Sequence, residues 1–211
     1  MRPLDPIFLP PRRVVITGAG AVTPLGHTPQ DMARAIREGR SAFRHAPALP
    51  GAACSPVSDF DATEATGRWR HRRYLSRGGQ LALAAALTAT RQAGYACDNG
   101  RRVTGGTGDI DSTAGDGCPH PLPCLPDDTA LVAASGPNMD VGADFPAACA
   151  PRTGDSAATS GLEHPDLDAL WMLRWLPNTA ASAVAMRCGV RGEGLVLGTA
   201  CAASLQAVGE A

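Results

Sequence analysis

Apolar residues along this chain fall into two rhythms. Short unbroken runs bounded by glycine or proline occur at 12–18 (Arg-Arg-Val-Val-Ile-Thr-Gly), 129–136 (Thr-Ala-Leu-Val-Ala-Ala-Ser-Gly) and 194–200 (Gly-Leu-Val-Leu-Gly-Thr-Ala). Each predicts a buried β-strand. Between them lie stretches of helical period: Thr28 to about Glu38, Tyr74 to Ala93, 166–175, 178–187, and Cys201 onward. Strands alternating with helices imply an α/β layer with a mostly parallel sheet and packed helices.

Boundary residues sharpen several of these elements. Thr28 is a suitable N-cap, with Pro29 at the first helical position, Asp31 in the first turn and Gly39 as the stop. The run from Ala82 to Ala89 is so rich in alanine and leucine that its helix is expected to be buried on two sides, and Gly94 ends it. A Pro/Gly-rich connection spans 44–58. Gly18 and Gly20 are expected to turn the chain tightly as it leaves the first strand. Two stretches, 97–128 and 141–164, lack an apolar period and read as loop or disordered insertions.

Composition narrows the function classes. The 211 residues carry a formal net charge of −1, which argues against a nucleic-acid partner held by bulk electrostatics. Prolines interrupt Met1–Pro11 where a signal peptide would need a continuous apolar core, and no later run approaches a membrane span, so the cytoplasm is the expected location. Seven scattered cysteines fit reduced thiols better than a disulfide framework. Cys118-Pro-His-Pro-Leu-Pro-Cys124 clusters possible metal ligands, but no fourth stands at a recognised spacing, so no metal is expected. A calcium loop from Asp109 fails because Ala114 holds the turn position and His120 the last ligand position. Thr17-Gly-Ala-Gly20 invites a dinucleotide reading, yet Thr23 stands where the third glycine is needed, and no cofactor is expected.

The chemistry concentrates near Cys201. In Gly-Thr-Ala-Cys-Ala-Ala-Ser at 198–204, a strand gives way sharply to a helix start. A side chain there faces unpaired backbone N–H groups and the positive end of the helix dipole, an arrangement that suits a thiol nucleophile. A free cysteine is also a small hydrophobe, and spacing alone leaves that alternative open.

The residues from Leu176 to Ala211, with this turn at their centre, closely resemble the β-ketoacyl-acyl carrier protein synthases. So does Arg12-Arg-Val-Val-Ile-Thr-Gly-Ala-Gly-Ala-Val-Thr-Pro-Leu-Gly26, followed by a helix ending in Ile36-Arg-Glu-Gly-Arg-Ser41. The resemblance implies a thiolase-like fold, present as an incomplete N-terminal half across 1–211. It implies an acyltransferase in which Cys201 is acylated by a thioester and then attacked by the carbanion from a decarboxylating malonyl group, in fatty acid or polyketide elongation. The family's two histidines, its lysine and part of its oxyanion hole are expected in a second half beyond this truncated stretch. No lysine occurs among the 211 residues, and His27, His45, His71, His120 and His164 all precede Cys201, so the chain is expected to be inactive alone. By the same resemblance, Arg70 and Arg73, one turn apart, with Arg72 beside them, match a basic surface that meets an acidic acyl carrier protein carrying acyl or malonyl groups. An ordinary solvated helix start is the alternative for these arginines. Other expected partners are a second copy or a complementary ketosynthase half. The alternative function is a non-catalytic remnant that keeps carrier-protein-binding or dimerisation surfaces.

Overall fold

The computed structural model describes residues 13–45, 51–95, 124–136 and 171–211. Of the stretches expected to be loops, 97–123 and 141–164 lie outside the described residues, as do Met1–Pro11, His120, His164 and the candidate calcium loop. In chain order the elements are α1 (Pro29–Arg37), β1 (Arg44–His45), β2 (Ala53–Cys54), α2 (Ala62–Thr66), a 3₁₀ turn (Arg70–Tyr74), α3 (Arg77–Gln92), β3 (Leu131–Ala134), α4 (Trp171–Trp175), α5 (Thr179–Cys188), β4 (Gly194–Leu197), a 3₁₀ turn (Ala200–Ala202) and α6 (Ala203–Glu210).

Local chemistry accounts for most boundaries. Thr28 caps α1: its Oγ1 accepts from Asp31 N at 3.1 Å and donates to Asp31 Oδ2 at 2.7 Å, with Pro29 at the first helical position. Gly39, at φ +67, ends the helix. Asp61 caps α2 by accepting from Thr63 N at 2.6 Å and Glu64 N at 3.0 Å, and these N–H bonds hold its carboxyl below the usual carboxylate range. The long helix starts at Arg77 rather than Tyr74, because buried Ser76 accepts from Gly79 N at 3.1 Å and caps it there. The preceding Arg70–Tyr74 forms a separate 3₁₀ turn.

The core forms where α3 meets α5. Leu83 and Leu87 of α3 are fully buried and cluster with Leu75, Ala183 and Cys188, while Trp69, Leu125, Val184 and Val190 pack around them. Each such leucine contributes about 1.5–3 kcal/mol on burial. Arg187 of α5 is buried as well, donating from Nη2 to Thr66 O at 2.7 Å and lying over the Trp69 ring at 5.9 Å. It ties the end of α2 to the core.

β3 and β4 pair in parallel, Leu131 with Gly194 through Ala134 with Leu197, as the two later apolar runs lead one to expect. The run at 12–18 is different. Its described residues form no ladder, and Val14, Val15 and Ile16 are 82%, 61% and 89% exposed. An apolar run becomes a strand only where a neighbouring edge accepts its hydrogen bonds, and among the described residues none does. Gly18 and Gly20 do not turn at positive φ but press against α3: a Cβ on Gly18 would stand 2.2 Å from Ala89 O, and one on Gly20 1.9 Å from Ala85 O. Ala19 N donates to Gln92 Oε1 at 2.7 Å in the same contact. Helix α3 is thus covered on two sides. The connection at 44–58 contains a short antiparallel pair, β1 with β2, that its proline and glycine content had concealed.

Because backbone lies where a Cβ at position 20 would stand, Gly20→Ala is expected to lower stability by about 1–3 kcal/mol, the cost of overpacking a site that cannot yield. Gly209→Ala, on an exposed turn of α6 with nothing within 4 Å of the added carbon, should move the other way by up to about 1 kcal/mol through helix propensity. Urea-unfolding midpoints of the two variants check both signs.

Candidate functional site

The site is built at the end of β4. Residues 198–202 carry the chain from an extended ladder into α6, whose Ala203 and Ala207 are buried against the strands. Cys201 lies in the intervening 3₁₀ turn with its thiol exposed. Ala200, immediately before it, has φ +52 and is the single non-glycine residue in the left-handed region among the described residues. A Cβ in that conformation costs about 1–2 kcal/mol. The strain sits in the peptide unit that aims Cys201, the kind of place where such conformations serve function. Ala202 N donates to Thr199 O at 3.3 Å, and Thr199 Oγ1 donates to Gln206 Oε1 at 3.0 Å, joining the strand end to the first turn of α6.

The basic segment occupies the 3₁₀ turn before α3. Arg70 and Arg73 are exposed, whereas Arg72 is half-buried with Nη1 wholly covered, and its charge helps hold the Asp61 carboxyl low. Arg73 lies over the Tyr74 ring at 4.8 Å and donates to the Tyr74 hydroxyl at 2.5 Å, while Arg174 Nε of α4 donates to Arg73 O at 3.3 Å. Trp69 packs on the core beneath. His71, between the arginines, has its pKa lowered chiefly by burial and then by the Arg70 and Arg73 charges. Both causes favour the neutral ring.

The other described histidines, His27 and His45, do not converge on Cys201. His27 Nε2 is 3.3 Å from Asp59 Oδ1 and meets Phe60 edge-on, in a cleft of about 310 Å³ that Asp61, Glu64 and Arg91 also line. His45 is exposed on β1. Among the described residues no three His, Cys, Asp or Glu stand together as a metal site, and no helix is long and apolar enough to cross a membrane. Gly18 and Gly20 pack against the α3 backbone at Ala85, Ala89 and Ala93, and α1 begins only after Ala21 to Thr28. Reading the sequence singled out Cys201 and the arginines as candidates, but not Ala200's conformation, the Thr199–Gln206 bond or the His27 cleft. No period or spacing in the sequence marks these three.

The family model described as "Beta-ketoacyl synthase, N-terminal domain" matches residues 11–113 and 127–211. No curated protein matches the chain. Among solved structures, a β-ketoacyl synthase from Burkholderia phymatum STM815 is similar at 22% identity and TM-score 0.61, over 93% of this chain and 42% of that one. The ishigamide ketosynthase/chain length factor is similar at 22% identity and TM-score 0.61, over 93% and 47% respectively. AntDE:AntF (apo), a type II PKS acyl-carrier protein in complex with its ketosynthase bound to the hexaketide, is similar at 15% identity and TM-score 0.59, over 93% and 44%. The chain thus spans under half the length of each of these structures.

His71 is expected to titrate below the ordinary histidine value, and Arg70→Gln or Arg73→Gln should each raise its midpoint by removing a like charge; ¹H NMR titration of its ring protons reads this directly. The sign for stability follows. The folded chain binds this proton less readily than the unfolded chain, so stability should fall as pH drops from the ordinary histidine range through the depressed value. Asp31, held low chiefly by its Thr28 hydrogen bond, and Asp61 extend the same loss to lower pH.

Proposed function

Because the chain belongs to the β-ketoacyl synthase family, matching its N-terminal domain and sharing the thiolase-like fold of solved ketosynthases, we propose that it is the acyl-accepting part of a condensing acyltransferase. The observation that carries this reading is the place of Cys201: an exposed thiol on a strained turn between a parallel strand and a packed helix. Its sulfur attacks the carbonyl carbon of a carrier-protein thioester, the carbon–sulfur bond to the carrier breaks, and the carrier thiol leaves with a proton. An acyl-cysteine results. Decarboxylative condensation with a malonyl group is the second step, and any lysine it uses comes from outside these 211 residues, which contain none.

Arg70 and Arg73 are the proposed contact for an acidic acyl carrier protein, with Arg72 behind them. Their exposure, and the neighbouring Trp69 and Tyr74 that hold the turn, support that role. One of the similar structures is a ketosynthase in complex with an acyl-carrier protein and another a ketosynthase/chain length factor, so a carrier and a second ketosynthase-like subunit are the partners proposed for this chain.

Incubating the purified chain with an acyl-carrier-protein thioester should give an acyl mass adduct that Cys201→Ala abolishes. A folded chain that takes no adduct would instead be a carrier-binding module without transfer chemistry. In a separate binding measurement, Arg70→Glu with Arg73→Glu should weaken carrier affinity by about tenfold or more at low salt, with the difference shrinking as salt rises.

A further inference from the structure

We propose that Thr199 and Gln206 are positioning residues that clasp the turn bearing Cys201, an inference that rests on the reading of Cys201 as the acyl acceptor. Three observations carry it. First, a non-glycine residue at positive φ persists only where the surrounding structure over-determines it, and Ala200 is such a residue. Second, the ends of the turn are fixed: Ser135 N donates to Leu197 O at 3.0 Å on the strand side, and buried Ala203 and Ala207 hold α6. Third, the Thr199 Oγ1 to Gln206 Oε1 bond at 3.0 Å closes a loop whose interior holds the strained peptide and Cys201.

The same bond is a poor candidate for general stabilisation. Both partners are exposed, so water competes for each, and neither side chain packs in the core. Its consequence is directional. With Cys201 exposed and no described side chain hydrogen-bonded to its sulfur, the backbone sets where the Cys201 Cβ stands, and the clasp ties that backbone to α6. Releasing the clasp unties Thr199, the neighbour of Ala200, from the first turn of α6 and lets the Cys201 thiol sample positions that the closed turn excludes.

The test uses the full chain and two readouts on each variant: acylation of Cys201 from an acyl-carrier-protein thioester, and its alkylation rate by iodoacetamide relative to Cys124, an exposed cysteine outside the turn. Thr199→Val removes the donor with little change in shape, and Gln206→Leu removes the acceptor. Each is expected to slow acylation about tenfold and to shift the Cys201 to Cys124 alkylation ratio at least threefold, with the unfolding midpoint unchanged. The double variant should be no worse than either single one, and Gln206→Glu, which keeps an acceptor oxygen, should stay within twofold of the parent. Acylation and alkylation within twofold of the parent in both single variants, additive effects in the double variant, or loss in Gln206→Glu equal to that in Gln206→Leu would each overturn the clasp. Should the parent chain take no acyl group, the acyl-acceptor reading fails, and the alkylation ratios decide the clasp independently.

Discussion

The close approach of backbone to helix α3 is the constraint on which the described structure depends. Its Leu83 and Leu87 face α5, while Ala85, Ala89 and Ala93 at the other side leave space that only glycine can enter, and Gly18 and Gly20 enter it. A contact of this kind is unforgiving, since one added carbon meets carbonyl oxygen rather than a side chain that could turn aside. It also explains a composition that otherwise reads as mere bias. Alanine on α3 and α5 keeps the helices close enough for a small core to be dense, with Ala180, Ala181 and Ala183 buried on the facing helix.

Elements governed by local chemistry were the legible ones. Thr28, Pro29, Asp31 and Gly39 mark both ends of α1 within a few bonds of themselves, and Gly94 and Gly189 end their helices at positive φ. The start of α3 shifted because Ser76 outcompeted the preceding residues as a cap, a choice that depends on burial as well as type. The run at 12–18 failed for a different reason. Val-Val-Ile has strand character wherever it stands, but pairing belongs to the neighbour, and sequence period is silent about neighbours. The small β1–β2 pair was missed for the mirror reason: register brought Arg44 opposite Cys54 without any apolar pattern to announce it.

At the site, motif outran geometry. The Gly-Thr-Ala-Cys turn was readable as strand, turn and helix start, whereas the conformation of Ala200 was not, because alanine carries no signal for positive φ. The arginines were readable as density but not as direction. Arg70 and Arg73 are exposed while Arg72 is half-buried and its charge lowers the Asp61 pKa, and the three fall within four residues of a turn too short to show a period. Burial and then the Arg70 and Arg73 charges lower the His71 pKa, which favours its neutral ring over a further positive charge on the patch. A surface charged by arginine alone cannot be switched off by physiological pH, which leaves ionic strength as its lever.

The strain beside Cys201 is better explained by the ends of its turn than by the turn itself. β4 is held in register against β3 over four pairs, and Gly192 N donates to Thr129 O at 3.0 Å just before the strand begins. α6 is held just as closely by Ala203 and Ala207, while its Leu205 and Val208 project outward. Five residues bridge two packed ends, and Ala200 is the one that takes the left-handed conformation. A glycine at position 200 would adopt it freely but would adopt others equally well. Alanine, held in a single unfavourable well by packed neighbours, gives a turn with fewer accessible shapes, and the side chain that follows it starts from a narrower range of positions.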